Sequence, residues 1–305
     1  TQEQFWQTCQ RVVEGAYSIL KNQIKRAHSR WSDDEAQLKA QDMYQRMFDF
    51  KFLPPGRGLY AMGTPIIEKM GGMALNNCAA RSTKDIDQDF ASPFCDLADW
   101  SMCGVGVGYD VRGAGKVTIQ KPKISNTPYV VEDSREGWVE LIRVTLNPYV
   151  GIGELHEVVD YSQIRPEGAP LKTFGGVASG YKPLDVLRCS IIELLDAHEG
   201  KPISTTVISD IFNMIGKCVV SGNIRRSSEI AMGFPDDAEF VALKDPTPKR
   251  GLRAQQDEIL ARNVAYTTAK ARVQELKAAR KEYSVLSDEY VTLTDQIDAE
   301  EATMS

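Results

Sequence analysis

The sequence predicts an α/β fold, preceded by a helical scaffold and followed by a long helix. Three observations carry that prediction. Apolar residues recur at helical spacing through the first fifty residues. Two short apolar stretches, 73–80 and 104–110, read as strands and bracket a helical stretch at 83–103. Beyond residue 250 the chain becomes polar and takes up a seven-residue apolar repeat. These shifts divide the chain into a scaffold at 1–50, a central α/β unit at 51–245 and a helical tail at 246–305.

The totals narrow the function classes. Of the 305 residues, 42% are hydrophobic and 26% charged, as in an ordinary globular protein. A net charge of −6 argues against a duplex nucleic-acid partner, which favours a basic surface. No apolar run approaches the roughly 20 residues of a membrane span, so no membrane partner is expected. The six cysteines (9, 78, 95, 103, 189 and 218) lack CxxC spacing, and only three histidines are present. That pattern predicts neither a metal site nor a disulfide framework. A cytoplasmic, reducing location with most thiols buried is expected.

Residues 4–27 place Phe5, Val12, Val13, Ala16, Ile19, Leu20 and Ile24 on one helical face. Ser32 and Glu35 offer a capping box for a second helix ending near Phe48. Pro54-Pro55 stops it, and Arg57 follows between Gly56 and Gly58. An arginine framed by glycines suits a phosphate, and it equally suits a solvated surface turn. In Ala74-Leu75-Asn76-Asn77-Cys78-Ala79 two asparagines precede a thiol. Asparagine is depleted in strands, so the pair points to side chains aimed at a polar site. The alternative is a buried structural cysteine. The helix expected at 83–103 carries Ile86, Phe90, Phe94, Leu97, Ala98 and Trp100 as its apolar stripe, with Asp85, Asp87 and Asp89 near its start.

Gly104, Gly106 and Gly108 then interrupt a strand. A dinucleotide fingerprint requires G-x-G-x-x-G opening a helix, whereas Val111 stands where the last glycine belongs. Glycines inside a strand mark close approach of a ligand or another backbone. Arg112 to Lys116 forms a basic loop, and Ser134 caps a helix within 131–144. A second glycine-rich loop, 172–184, contains Gly175, Gly176 and Ser179. Helices are expected at 187–195 and 205–216, with Cys218 as packing, before a turn and a strand reaching Met232. In the tail Leu276, Tyr283, Tyr290 and Ile297 recur every seven residues, with Ala279, Leu286 and Leu293 between them. The seam suits self-association through 252–300 or a helix packed on its own domain.

Taken in order, FLPPGRGLYAMGT, ALNNCA, SMCGVGVGYD, EDSREGW, DYSQIRPEGAPLKTFGG and SGNIRRSSEIAMG resemble the ribonucleotide reductases, most nearly the monomeric adenosylcobalamin-dependent (class II) ribonucleoside-triphosphate reductases. The likeness covers about residues 50–245, with Cys103 and Ala80-Arg81 as local departures. It implies the first half of a ten-stranded α/β barrel, with a dimer-mimicking insertion at about 117–165. It also implies thiyl-radical reduction of ribonucleotides, with adenosylcobalamin as cofactor and a thioredoxin-like reductant. Cys78 would be the first thiol of the reducing pair, with Arg57, Asn77 and Gly104 at the substrate. Asp85, Arg112, Gly175, Gly176 and Ser179 would belong to the loops that sense a deoxynucleoside-triphosphate effector. The family's radical cysteine, in an N-x-C-x-E arrangement, is missing from this sequence. A complementing C-terminal reductase chain is therefore expected to supply it. An inactive nucleotide-binding remnant, or a coiled-coil assembly protein reusing the scaffold, are the alternatives.

Overall fold

The computed structural model describes residues 2–170, 177–221, 228–244, 272–280 and 287–302. Two helices open the chain, α1 (Phe5–Arg26) and α2 (Asp33–Phe48). They close on Cys9, Val12, Val13 and Met47; of the apolar face read from the sequence Val12 and Val13 are buried, whereas Ile19 and Leu20 are exposed. The Ser32 hydroxyl accepts from the Glu35 amide, which satisfies one orphan donor at the start of α2. Two short helices follow, α3 (Gly56–Ala61) and α4 (Pro65–Met70). The GRG segment, expected as an open loop, is thus the first turn of α3.

The central sheet is β1 (Cys78–Arg81), β2 (Gly106–Asp110) and β7 (Glu229–Met232), all parallel, in the order β1-β2-β7. Between the first two runs α5 (Ser92–Met102); α6 (Arg135–Leu146), α7 (Lys182–Asp196) and α8 (Thr205–Val220) precede β7, and α9 (Ala238–Ala242) follows it. Two-stranded parallel pairs, β3 (Ile124–Ser125) with β5 (Leu155–His156) and β4 (Tyr129–Val130) with β6 (Val159–Asp160), tie the segment around α6 together.

One face of the sheet is covered. Val107 and Tyr109 point into a core built from Phe94 and Leu97 of α5 and Ile208, Phe212 and Ile215 of α8. The Tyr109 and Phe212 rings stack at 4.1 Å, and Phe94 meets Phe212 at 4.7 Å. Each such ring contributes roughly 1.5–3 kcal/mol by leaving water. The opposite face is open: Cys78, Ala80, Ile230 and Met232 are all exposed on it. The ten-stranded barrel implied by the resemblance is not formed by the described residues, which supply three strands covered on one side.

Two local expectations shift for clear reasons. Gly71–Leu75 coils into a 3₁₀ turn, so β1 begins at Cys78 and not at Met73. The helix expected from residue 83 begins at Ser92, where Pro93 occupies its first turn and fixes the backbone for helix entry. Asp85, Asp87 and Asp89 therefore lie in the turn before the helix.

The tail is not one continuous rod. Helices α10 (272–280) and α11 (Asp288–Ala302) pack on each other through Val273, Leu276, Leu293 and Ile297. Three of the seven expected seam residues, Leu276, Leu293 and Ile297, thus pack within the chain; Tyr283 and Leu286 lie outside the described residues.

Candidate functional site

The open face begins at Cys78. It is the one exposed cysteine of the six: Cys9, Cys95, Cys103 and Cys218 are buried, Cys189 is half-buried, and none of the six is in a disulfide. Cys78 stands at the N-terminal end of β1, opposite Gly106 of β2. The Gly106 amide donates to the Asn77 carbonyl at 3.0 Å and so fixes the start of the strand pair. Gly106 has little room for a side chain, because a Cβ there would lie 2.8 Å from Ser228 Oγ.

Asn77 and Gly104 meet at Arg57. The Arg57 Nε donates to Asn77 Oδ1 at 2.8 Å, Nη1 to the carbonyls of Ala74 and Cys103 at 3.3 Å, and Nη2 to the Gly104 carbonyl. Gly104 adopts φ +81°, a left-handed turn that glycine takes without strain, between α5 and β2. The structure thereby brings four expected residues, Arg57, Asn77, Cys78 and Gly104, to one end of the sheet. The Arg57 guanidinium here faces protein oxygens on Asn77, Ala74, Cys103 and Gly104.

At the same end, Arg135 opens α6. Its guanidinium contacts Asp99 at 3.0 Å, Glu136 at 2.7 Å and the Cys103 sulfur at 2.8 Å. Arg135, Trp138, Arg165, Ser179, Gly180 and Cys218 line a cavity of about 140 Å³, room for about one aromatic ring. Ser179 thus shares this cavity with Arg135 and with Met102 at the end of α5. Gly175 and Gly176 lie outside the described residues.

The C-terminal ends of β1 and β2 gather a second group. Thr83 is buried, donates from its amide to Asp110 Oδ1 at 2.8 Å, and accepts from the Gly113 amide at 2.9 Å. Burial alone would raise the Asp110 carboxyl, but hydrogen bonds from Ser82 and Thr83 hold it below its ordinary value. Asp110 in turn sits 3.7 Å from Arg112, whose guanidinium lies over Phe234 at 5.8 Å. Asp85 is exposed in the turn starting at Thr83, 3.8 Å from Lys84, and Lys116 donates to the Lys84 carbonyl. Asp85 and Arg112 are therefore tied to one loop cluster, about one strand length, on the order of 13 Å, from the thiol. Thr83 and Asp110, which organise that cluster, were not singled out from sequence. A buried threonine between two polar loops leaves no periodic signal.

Among the described residues no cluster of His, Cys, Asp or Glu is arranged to hold a metal ion, and no helix is long and apolar enough to cross a membrane.

Comparison with known proteins follows the same division. Residues 1–64 match the ribonucleotide reductase alpha domain, and residues 112–195 match the insertion domain of B12-dependent ribonucleotide reductase. Both matches are to ribonucleotide reductase domains. The matched insertion extends beyond the expected 117–165 at both ends. The sequence is 47% identical over 248 residues to an adenosylcobalamin-dependent ribonucleoside-triphosphate reductase of Euglena gracilis, covering 80% of the chain and 34% of that protein. It is 45% identical over 263 residues to a Dictyostelium discoideum protein described as a probable enzyme of the same kind, covering 80% of the chain and 35% of its relative. A solved B-12 dependent (class II) ribonucleotide reductase superposes with a TM-score of 0.62 at 27% identity, covering 81% of this chain and 41% of that one. The chain thus spans about a third of the length of these two curated relatives. Both are named for adenosylcobalamin-dependent ribonucleoside-triphosphate reduction.

Proposed function

We propose that this chain forms the reducing-thiol and effector-sensing part of an adenosylcobalamin-dependent ribonucleoside-triphosphate reductase. The observation that carries the reading is Cys78, the exposed thiol on an open, glycine-floored sheet face. Such a thiol is accessible both to a sugar and to later exchange with a reductant. In the proposed reaction the ribose 2′ hydroxyl leaves as water. Cys78 and a second thiol give up two electrons and two hydrogens and join as a disulfide, which a thioredoxin-like dithiol reduces again. The second thiol and the radical cysteine come from reductase segments beyond these residues, on the same or a second polypeptide. None of the other five cysteines is exposed beside Cys78, and none stands in N-x-C-x-E.

Adenosylcobalamin would supply the initial radical. The residues present do not by themselves fit it, because the open face is a floor without walls: Cys78, Ala80, Ile230 and Met232 all meet solvent. Arg57 acts at the substrate end through Asn77, and Gly104 shapes the adjoining turn. The Asp85–Arg112 cluster binds the deoxynucleoside triphosphate, and the loop containing Gly175, Gly176 and Ser179 carries its influence to the substrate end. Six cysteines with none in a disulfide accord with a reducing, cytoplasmic location.

Reconstitution tests the reading. The chain, mixed with the remaining reductase segments, adenosylcobalamin and a thioredoxin system, is expected to form deoxynucleotide from ribonucleoside triphosphate. Retained deoxynucleotide binding by calorimetry without turnover would instead identify a nucleotide-binding remnant. Loss of both would leave a reused scaffold.

A further inference from the structure

Arginine has five N–H donors and no acceptor. Arg57 directs its donors to four protein oxygens, on Asn77, Ala74, Cys103 and Gly104. These belong to three separate segments: the 3₁₀ turn before β1, the residue next to the thiol, and the turn between α5 and β2. A lysine could not serve them together, since its single ammonium lacks the planar fork. The contact also sets the polarity of the Asn77 amide. Because Arg57 can only donate, the amide oxygen must face it, and the Nδ2 donors are left for other partners.

We propose that Arg57 is a positioning residue that acts through Asn77 to hold the Cys78 thiol on the open face. The inference rests on the reading of Cys78 as a reducing thiol. The lock operates on the backbone as well as the side chain. The Asn77 carbonyl accepts from Gly106, so releasing Asn77 loosens the first rung between β1 and β2. The three carbonyl bonds of Arg57 remain when only the Asn77 side chain is removed, so the lock and the fold are separable.

The test is a double-mutant cycle on the 305-residue chain, with iodoacetamide as probe and the modified peptides quantified by mass spectrometry. Arg57→Lys and Asn77→Ala should each lower the alkylation rate of Cys78 about fivefold, the worth of one hydrogen bond. The double variant should be no slower than either single variant. Asn77→Asp, which restores the acceptor, should return the rate to within about twofold of the parent. Cys189 should keep its rate throughout, and the melting midpoint of Asn77→Ala should stay close to the parent. Additive effects, no rescue by aspartate, or an unchanged Cys78 rate in Asn77→Ala would overturn the proposal. Should Arg57→Lys fail to fold, the alanine and aspartate variants at 77 still decide it. Turnover plays no part in this assay, so its failure is distinct from a failure of Cys78 to act as reductant.

Discussion

Cys78 and Gly106 are register partners in the parallel pairing of β1 with β2. The strand beside the thiol therefore carries no side chain at the level where a substrate would lie. A Cβ at 106 would come within 2.8 Å of Ser228 Oγ, whereas at Gly108 the nearest atom is the mobile Met232 Cε at 3.3 Å. Gly106→Val is expected to destabilise the chain by about 1–3 kcal/mol, and Gly108→Ala by less. Urea unfolding of the two variants measures the difference, and equal costs would contradict this account of the open face.

Thiol labelling under native conditions should single out Cys78. Burial pushes the Cys95 and Cys218 thiols up to about 12, so the reactive thiolate is scarce at both. Cys78 is exposed. Its alkylation should run on the order of a hundredfold faster than theirs at neutral pH. Peptide mass spectrometry over a time course reads this directly, and comparable rates would show that the buried thiols open readily.

Two carboxyls beneath the sheet predict a pH dependence of stability. Burial pushes both Asp210 and Glu229 up to about 7, against an opposing influence from Lys244. No described group bonds Asp210 Oδ2 or either Glu229 carboxylate oxygen. Unfolded, these groups titrate near 3.8 and 4.5. Between those values and about 7 the folded chain holds more protons, so stability falls as pH rises through that window. The favourable contribution is fully present below about pH 4 and lost by about pH 7. Glu229→Gln should flatten that slope and stabilise the chain at pH 8 by up to about 3 kcal/mol. Unfolding free energies measured from pH 4 to 8 test it, and an unchanged slope would contradict it.

Much of this was legible in the sequence where periodicity or capping carries the information. Ser32 and Ser134 cap the helices expected after them, and the stripe of Phe94, Leu97 and Ala98 faces the core as read. Cys78 emerged from the unusual pair of asparagines before it. The boundaries that moved are those set by local turns: the 3₁₀ coil at 71–75 and the helix start at Ser92. The partners of Arg57 were not legible, since glycine neighbours tell of backbone freedom but not of where five donors will find oxygens. Its partners Ala74, Cys103 and Gly104 lie 17 to 47 residues away. In the tail, Leu276, Leu293 and Ile297 of the heptad pattern lie in one cluster. Sequence spacing alone could not show that Leu276 and Ile297 close on each other within one chain.

The central claim is that Cys78 reduces a ribose. In a reductase completed with its remaining segments and adenosylcobalamin, single-turnover formation of deoxynucleotide without added reductant measures it most directly. Cys78→Ser should abolish the deoxynucleotide burst and the accompanying disulfide while nucleotide binding persists. A serine variant that gives the full burst would contradict the account.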